Sequence, residues 1–202
     1  MTDNTTKERP ILFSASMVNA ILEGRKTMTR RVIKRNCSGR AKEVGSSRNW
    51  HLADPDVIRA CPYGKIGARL WVRETFAQNN NQLSDIYSDT TMVYRADGVS
   101  RALDNGVEKA WTPSIFMPRR ASRITLEITS VSAEQLQDIS EQDAMAEGVD
   151  AVSIDAMPRQ ATMNRRADFK QIWESINGKG SWELNPWCWV IEFNRIPALE
   201  AK

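Results

Sequence analysis

Histidine and cysteine are scarce in this chain of 202 residues, which has one histidine, His51, and three cysteines, Cys37, Cys61 and Cys188. An odd, sparse cysteine count argues against a disulfide framework and agrees with a reducing compartment. With a single histidine, any Ser-His-Asp triad would have to run through His51, which sits in an irregular stretch. Cys37, His51 and Cys61 fit no compact zinc spacing and lack a fourth ligand, so neither a metal nor a cofactor is expected. No apolar run approaches the ~18 residues that a membrane helix needs. The opening MTDNTTKERP is polar and has no apolar signal core. A soluble, cytoplasmic protein with no membrane partner is therefore expected. Gly64-Lys65-Ile66-Gly67 is too short for a phosphate loop, and the chain contains no internal repeat or low-complexity tract.

What is present is ordinary in amount and uneven in placement. The chain is 41% hydrophobic and 26% charged, the balance of a globular domain. Net charge is only +3, yet Arg25, Lys26, Arg30, Arg31, Lys34 and Arg35 crowd residues 25–35 with no acid among them, and Arg40 and Lys42 extend the group. Arg119, Arg120 and Arg123 form a second cluster. Such clusters suit phosphate contacts, and they suit a solvated basic face equally well. Of the seven tryptophans, Trp71, Trp173 and Trp189 read as core. Trp50 and Trp111 are candidates to stack on a base.

Local patterns divide the chain. Residues 1–9 read as a frayed tail, and 10–196 as one domain with insertions at about 34–66 and 77–118. Pro10–Phe13 predicts a strand. Ser14 or Ser16 caps a short helix over Ser16–Glu23, stopped at Gly24. Lys26–Val32 and Gly67–Thr75 predict strands, the second with Leu70 and Val72 on one face and Trp71 and Arg73 on the other. CPYG at Cys61–Gly64 and Ala96–Gly98 predict turns, with a strand at Met92–Tyr94. Ser122–Val131 alternates and predicts the clearest strand. Ser140, with Asp143 three residues on, opens a helix that Gly148 closes. Residues 150–164 read as loop, Asp168–Ile176 as a helix broken at Asn177–Gly180, and Trp187–Ile196 as the last strand. This order suits an α+β fold whose sheet curls into a barrel.

The run Ile21-Leu22-Glu23-Gly24-Arg25-Lys26-Thr27-Met28-Thr29-Arg30 resembles the opening motif of ASCH-domain proteins, PUA-like β-barrels in which a short helix ends in Gly before Arg-Lys-Thr-x-Thr-x-Arg. Ile124–Val131 followed by Leu136, Ile139 and Asp143–Val149 is similar to the family's strand and helix ending in Glu, and Trp189–Phe193 looks like its last strand. The likeness covers about half the chain. CPYG and MPRRASR look like the larger phage- and prophage-encoded members. The resemblance implies a small PUA-like β-barrel with flanking helices and two long excursions. Some small bacterial ASCH proteins are amidohydrolases that deacetylate N4-acetylcytidine through a Lys, a Thr three residues later and a distant Glu. By position these fall on Lys26, Thr29 and Glu147. The same reading places Arg25, Arg30, Arg73, Arg119 and Arg123 on the substrate or RNA.

Amide hydrolysis needs a nucleophile, a proton acceptor and a donor for the leaving amine. Thr29 would attack, Lys26 would take its proton if desolvation lowers the lysine pKa, and Glu147 would protonate the leaving nitrogen. Lys26 and Thr29 are three residues apart, so on a regular strand they would face opposite ways, and convergence requires a turn after Gly24. Of two adjacent arginines only one can face such a cleft. Arg30 is expected to face it and Arg31 to be solvated. Each residue also has a plain reading: a lysine beside a helix end, a strand threonine, a glutamate in a last helical turn. The leading expectation is an acylated-cytidine hydrolase acting on a nucleoside or RNA. An RNA-binding module without catalysis and a phage accessory protein that binds another protein stand as alternatives.

Overall fold

The computed structural model describes residues 8–33, 60–79, 91–98, 102–104, 107–149 and 164–197. Residues 1–7, most of the first excursion (34–59, with Cys37, Trp50 and His51) and residues 150–163, which the sequence reading expects to be loop, lie outside the described residues.

The strands are β1 (Arg9–Leu12), β2 (Met28–Val32), β3 (Arg69–Arg73), β4 (Phe76–Asn79), β5 (Thr91–Tyr94), β6 (Ala102–Asp104), β7 (Val107–Lys109), β8 (Thr125–Gln135) and β9 (Trp187–Ile196). The helices are α1 (Ala15–Leu22), α2 (Glu141–Ala146) and α3 (Arg165–Asn177). Ser14 caps α1, accepting from the Met17 N–H at 3.4 Å. Ser140 and Asp143 complete a reciprocal capping box on α2, and Asn164 caps α3. Short polar side chains thus satisfy donors that no helix can satisfy internally. β1 starts at Arg9, inside the stretch read as tail. The second excursion carries two hairpins, β4–β5 and β6–β7.

The architecture is mixed α/β around a five-stranded sheet in the order β1-β3-β8-β9-β2, with β1 parallel to β3 and the other pairs antiparallel. Among the described residues no strand ladder closes β1 onto β2. A side chain spans the two edges instead, as Arg31 on β2 donates from Nη2 to the Leu12 carbonyl of β1 at 2.6 Å. The sheet's inner face carries the main core, including Leu70, Val72, Leu126, Ile128, Val131, Ala133, Trp189, Ile191 and Phe193, covered by Val18 and Ile21 of α1. Leu126 and Ile128 are even-numbered, whereas Val131 and Ala133 are odd. The pairing with β9 shifts between Ile128 and Ser130, and the extra residue restores the inward direction. A second core on the outer side gathers Leu136, Ile139, Ala144, Phe169, Trp173, Trp182 and Cys188 between α2, α3 and β9. Among the described residues no helix is long and apolar enough to cross a membrane.

Candidate functional site

The site begins where α1 stops. Gly24 adopts φ +78°, and the N–H groups of Arg25 and Lys26 both donate to the Ala20 carbonyl, at 2.9 and 3.0 Å. This turn sends Lys26 toward the end of α2, where Lys26 and Glu147 form an isolated antiparallel bridge. The Thr27 N–H donates to the Ala146 carbonyl at 2.8 Å, and the Thr27 carbonyl accepts from the Phe193 N–H at 2.9 Å. Gly148 lets the two segments approach. Its φ is +84°, and a Cβ there would lie 2.9 Å from the Lys26 Cβ and 3.0 Å from the Ala20 Cβ.

The Lys26 side chain has no solvent exposure. Its Nζ donates to the Met28 carbonyl at 2.8 Å, the Glu147 carbonyl at 2.8 Å and Glu147 Oε2 at 2.7 Å. All three ammonium donors are therefore used. Loss of hydration pushes the Lys26 pKa down, Glu147 opposes that shift, and the charges of Arg31 and Arg30 add to it. Lys26 Nζ lies 5.6 Å from the centroid of the Phe13 ring, and the Arg31 guanidinium 5.1 Å from the same centroid.

Thr29 is buried and pairs with Ile191 of β9. Strand alternation puts it on the face of Arg31, whose cross-strand partner is Trp189, and Ile191 and Trp189 both belong to the inner core with Phe13. Its hydroxyl makes no hydrogen bond among the described residues.

Arg30 and Arg31 depart from expectation. Arg31 is half-buried rather than solvated and reaches across to Leu12 over Phe13. Arg30 points to the other face, where α2 covers it. Its Nη2 donates to Glu134 Oε2 at 3.1 Å and Asp143 Oδ2 at 3.0 Å, and its Nη1 lies 3.7 Å from Glu147 Oε1. The register with β9 decides this, because Arg30 pairs with Val190 beside Cys188 of the outer core.

The remaining arginines are held in separate places. Arg25 donates to Glu23 Oε2 at 2.7 Å and to the Gly148 carbonyl at 3.5 Å. Arg73 stacks on Trp71, 4.8 Å from the ring centroid. Arg119 pairs with Glu8 at 2.5 Å. Arg123 grips the buried Glu74 with two bonds of 2.9 and 3.0 Å, pairs with Asp97, and lies over Tyr94. Two arginines of the basic cluster at 119–123, Arg119 and Arg123, are thus partners for acids distant in sequence. Sequence reading missed Glu74, Glu134 and the cradle at Gly148. It named Asp143 only as a cap. Among the described residues no group of His, Cys, Asp and Glu could hold a metal ion.

These features define a mixed α/β protein with a buried lysine–glutamate pair beside an aromatic ring. No protein-family model matches the sequence, and no curated protein matches it significantly. The chain is similar to a solved structure of the ASCH domain from Lactobacillus crispatus JV V101, at 15% identity and a TM-score of 0.43, with 96% of this chain and 82% of that one covered.

Proposed function

We propose that this chain is an ASCH-type, PUA-like hydrolase that removes an acyl group from the exocyclic nitrogen of a cytidine, free or in RNA, in the cytoplasm. The observation that carries the reading is the Lys26–Glu147 contact of 2.7 Å, made without solvent between residues 121 apart in sequence. Burial favours the neutral amine of Lys26, and passing its proton to Glu147 leaves a neutral amine beside a carboxylic acid. The two products are the base and the acid that amide cleavage needs. The amine takes the Thr29 hydroxyl proton as its oxygen bonds to the acyl carbon. The acid gives its proton to the departing cytosine nitrogen as the C–N bond breaks. Water then cleaves the threonine ester, releasing the carboxylic acid and restoring Thr29.

One observation favours the second reading, an RNA-binding module without catalysis. The three Lys26 donors are already occupied, so the ammonium is held as a structural tie until a proton moves. The experiment that separates the two incubates the purified chain with N4-acetylcytidine and follows cytidine and acetate. Turnover that disappears in Lys26→Met and Glu147→Gln supports the hydrolase. A wild-type chain with no turnover but salt-dependent RNA binding supports the module.

A further inference from the structure

Arg30 sits beside this site without facing the Phe13 side, and its contacts are unusual for a surface cation. Its side chain is 1% exposed. One nitrogen, Nη2, serves two carboxylates, Asp143 at 3.0 Å and Glu134 at 3.1 Å, while Nη1 faces Glu147 Oε1 at 3.7 Å and Met28 Sδ at 3.2 Å. The same Asp143 Oδ2 accepts from the Ser140 N–H at 3.2 Å in the capping box of α2. Glu147 is the C-cap of that helix. Its Oε1 is buried and has no hydrogen bond.

We propose that Arg30 is a positioning residue of this site, one that ties the capped first turn of α2 to the carboxylate at its far end and so fixes where Glu147 stands opposite Lys26. The inference rests on the hydrolase reading for its kinetic consequence only.

A helix of six residues has too few internal bonds to hold its own ends. Lys26 pins the last turn of α2 through the Glu147 carbonyl and Oε2. Arg30 supplies the matching contact at the first turn and the facing charge for Oε1. The planar guanidinium has two separate terminal nitrogens, so Nη2 can serve the first turn while Nη1 faces Oε1, whereas an ammonium offers all its donors from a single nitrogen. Glu134, itself accepting from the Ser132 hydroxyl at 3.3 Å, competes with Glu147 for the same cation. The other groups that act on Lys26 and its partners are Arg31 on β2, Cys188 on β9 and Tyr63 near Arg31. Arg30 is the one among these that touches both ends of α2.

The test uses the full chain with Arg30→Gln, Arg30→Lys and Glu134→Gln. Two quantities are read: the titration of Lys26 Nζ by 15N NMR, and kcat and KM separately on N4-acetylcytidine. Arg30→Gln removes a cation, so Lys26 should titrate at higher pH than in the wild type. Glu134→Gln removes an anion and frees Arg30 for Glu147, so Lys26 should titrate at lower pH. Arg30→Lys should fall between wild type and Arg30→Gln. A misplaced Glu147 should lower kcat by about tenfold or more in Arg30→Gln, with KM within about threefold. A raised KM with kcat intact would make Arg30 a substrate contact and overturn the proposal. So would a Lys26 titration that moves in neither Arg30→Gln nor Glu134→Gln. Should Arg30→Gln fail to fold, Arg30→Lys and Glu134→Gln decide by the same titration, with no movement in either counting against it. If the wild type turns over no acylated cytidine, the hydrolase reading fails, and the Lys26 titration alone decides the role of Arg30.

Discussion

Replacing Gly148 by alanine tests the geometry on which the site depends. Two separable costs are expected. A residue with a Cβ held at φ +84° is in the left-handed region, which costs about 1–2 kcal/mol for a non-glycine residue. The added methyl would also lie 2.9 Å from the Lys26 Cβ and 3.0 Å from the Ala20 Cβ. Both are close to the backbone and cannot swing away, and such overpacking costs about 1–3 kcal/mol. Gly24→Ala is the control. Gly24 has φ +78° but open space around its Cβ position, so only the conformational cost of about 1–2 kcal/mol applies. Urea unfolding of the two variants should show Gly148→Ala weaker than Gly24→Ala by about 1–3 kcal/mol at an unchanged m-value. The steric strain lands on Lys26, so Gly148→Ala should also disturb the 2.7 Å contact with Glu147 and reduce turnover more than Gly24→Ala does. Equal stability losses would refute the claim that the α1 end and the α2 end meet through a gap that only glycine fits.

Burial lowers the Lys26 pKa below its ordinary 10.5, so between the folded and unfolded values the unfolded chain binds more protons and stability rises with pH. The contribution is complete above about 10.5 and is lost as pH falls through the folded value. The wild type should accordingly gain stability over Lys26→Met as pH rises toward 10.5, and a difference in urea midpoints that stays constant as pH approaches that value would reject the shift. Arg123→Ala strips its bidentate partner from Glu74, which is 1% exposed. The expected loss is about 3–5 kcal/mol in urea unfolding, with RNA affinity unaffected, and a lowered affinity at intact stability would restore Arg123 to the ligand. Burial raises the thiol pKa of Cys61 and pushes that of Cys188 up to about 12. Both should resist a disulfide reagent in the native chain and react on unfolding, and fast labelling of either in the native state would contradict their packing.

The local grammar of the chain was readable because its signals are local. The capping box at Ser140–Asp143, the stop at Gly24 and the ten-residue last strand Trp187–Ile196 each depend on neighbours within a turn or a strand. The strand at β8 carried its bulge in plain view, since Leu126, Ile128 and Val131 break a strict alternation by one residue. Read as a single set, they fix the face but not the kink. The relation between the two edge strands was not readable in this way. It depends on how β1 and β2 lie in the fold, and among the described residues the Arg31 side chain reaches from β2 to the Leu12 carbonyl of β1.

The basic clusters show why residue type and residue role part company. Composition places Arg30 and Arg31 side by side and marks Arg119–Arg123 as positive, and from there a phosphate surface is the natural expectation. What decides between surface and core is which acids the fold returns to each cation, and those acids are 104 and 113 residues from Arg30 and 49 from Arg123. A buried guanidinium without a carboxylate would carry an unpaid desolvation penalty, so the fold that buries Arg30 must also bring Glu134 and Asp143 to it. By the same reasoning, the strand register that turns Arg30 toward α2 turns Arg31 and Thr29 toward Phe13. The identity of the inward-facing arginine is therefore set by the pairing of β2 with β9, and the Thr-x-Arg spacing from Thr29 to Arg31 agrees with it, since residues two apart on a strand share a face. If that register were shifted by one residue, Arg31 would meet the carboxylates and Arg30 the ring. Exchanging the partners in this way is the alternative that the Arg30 and Glu134 variants discriminate against.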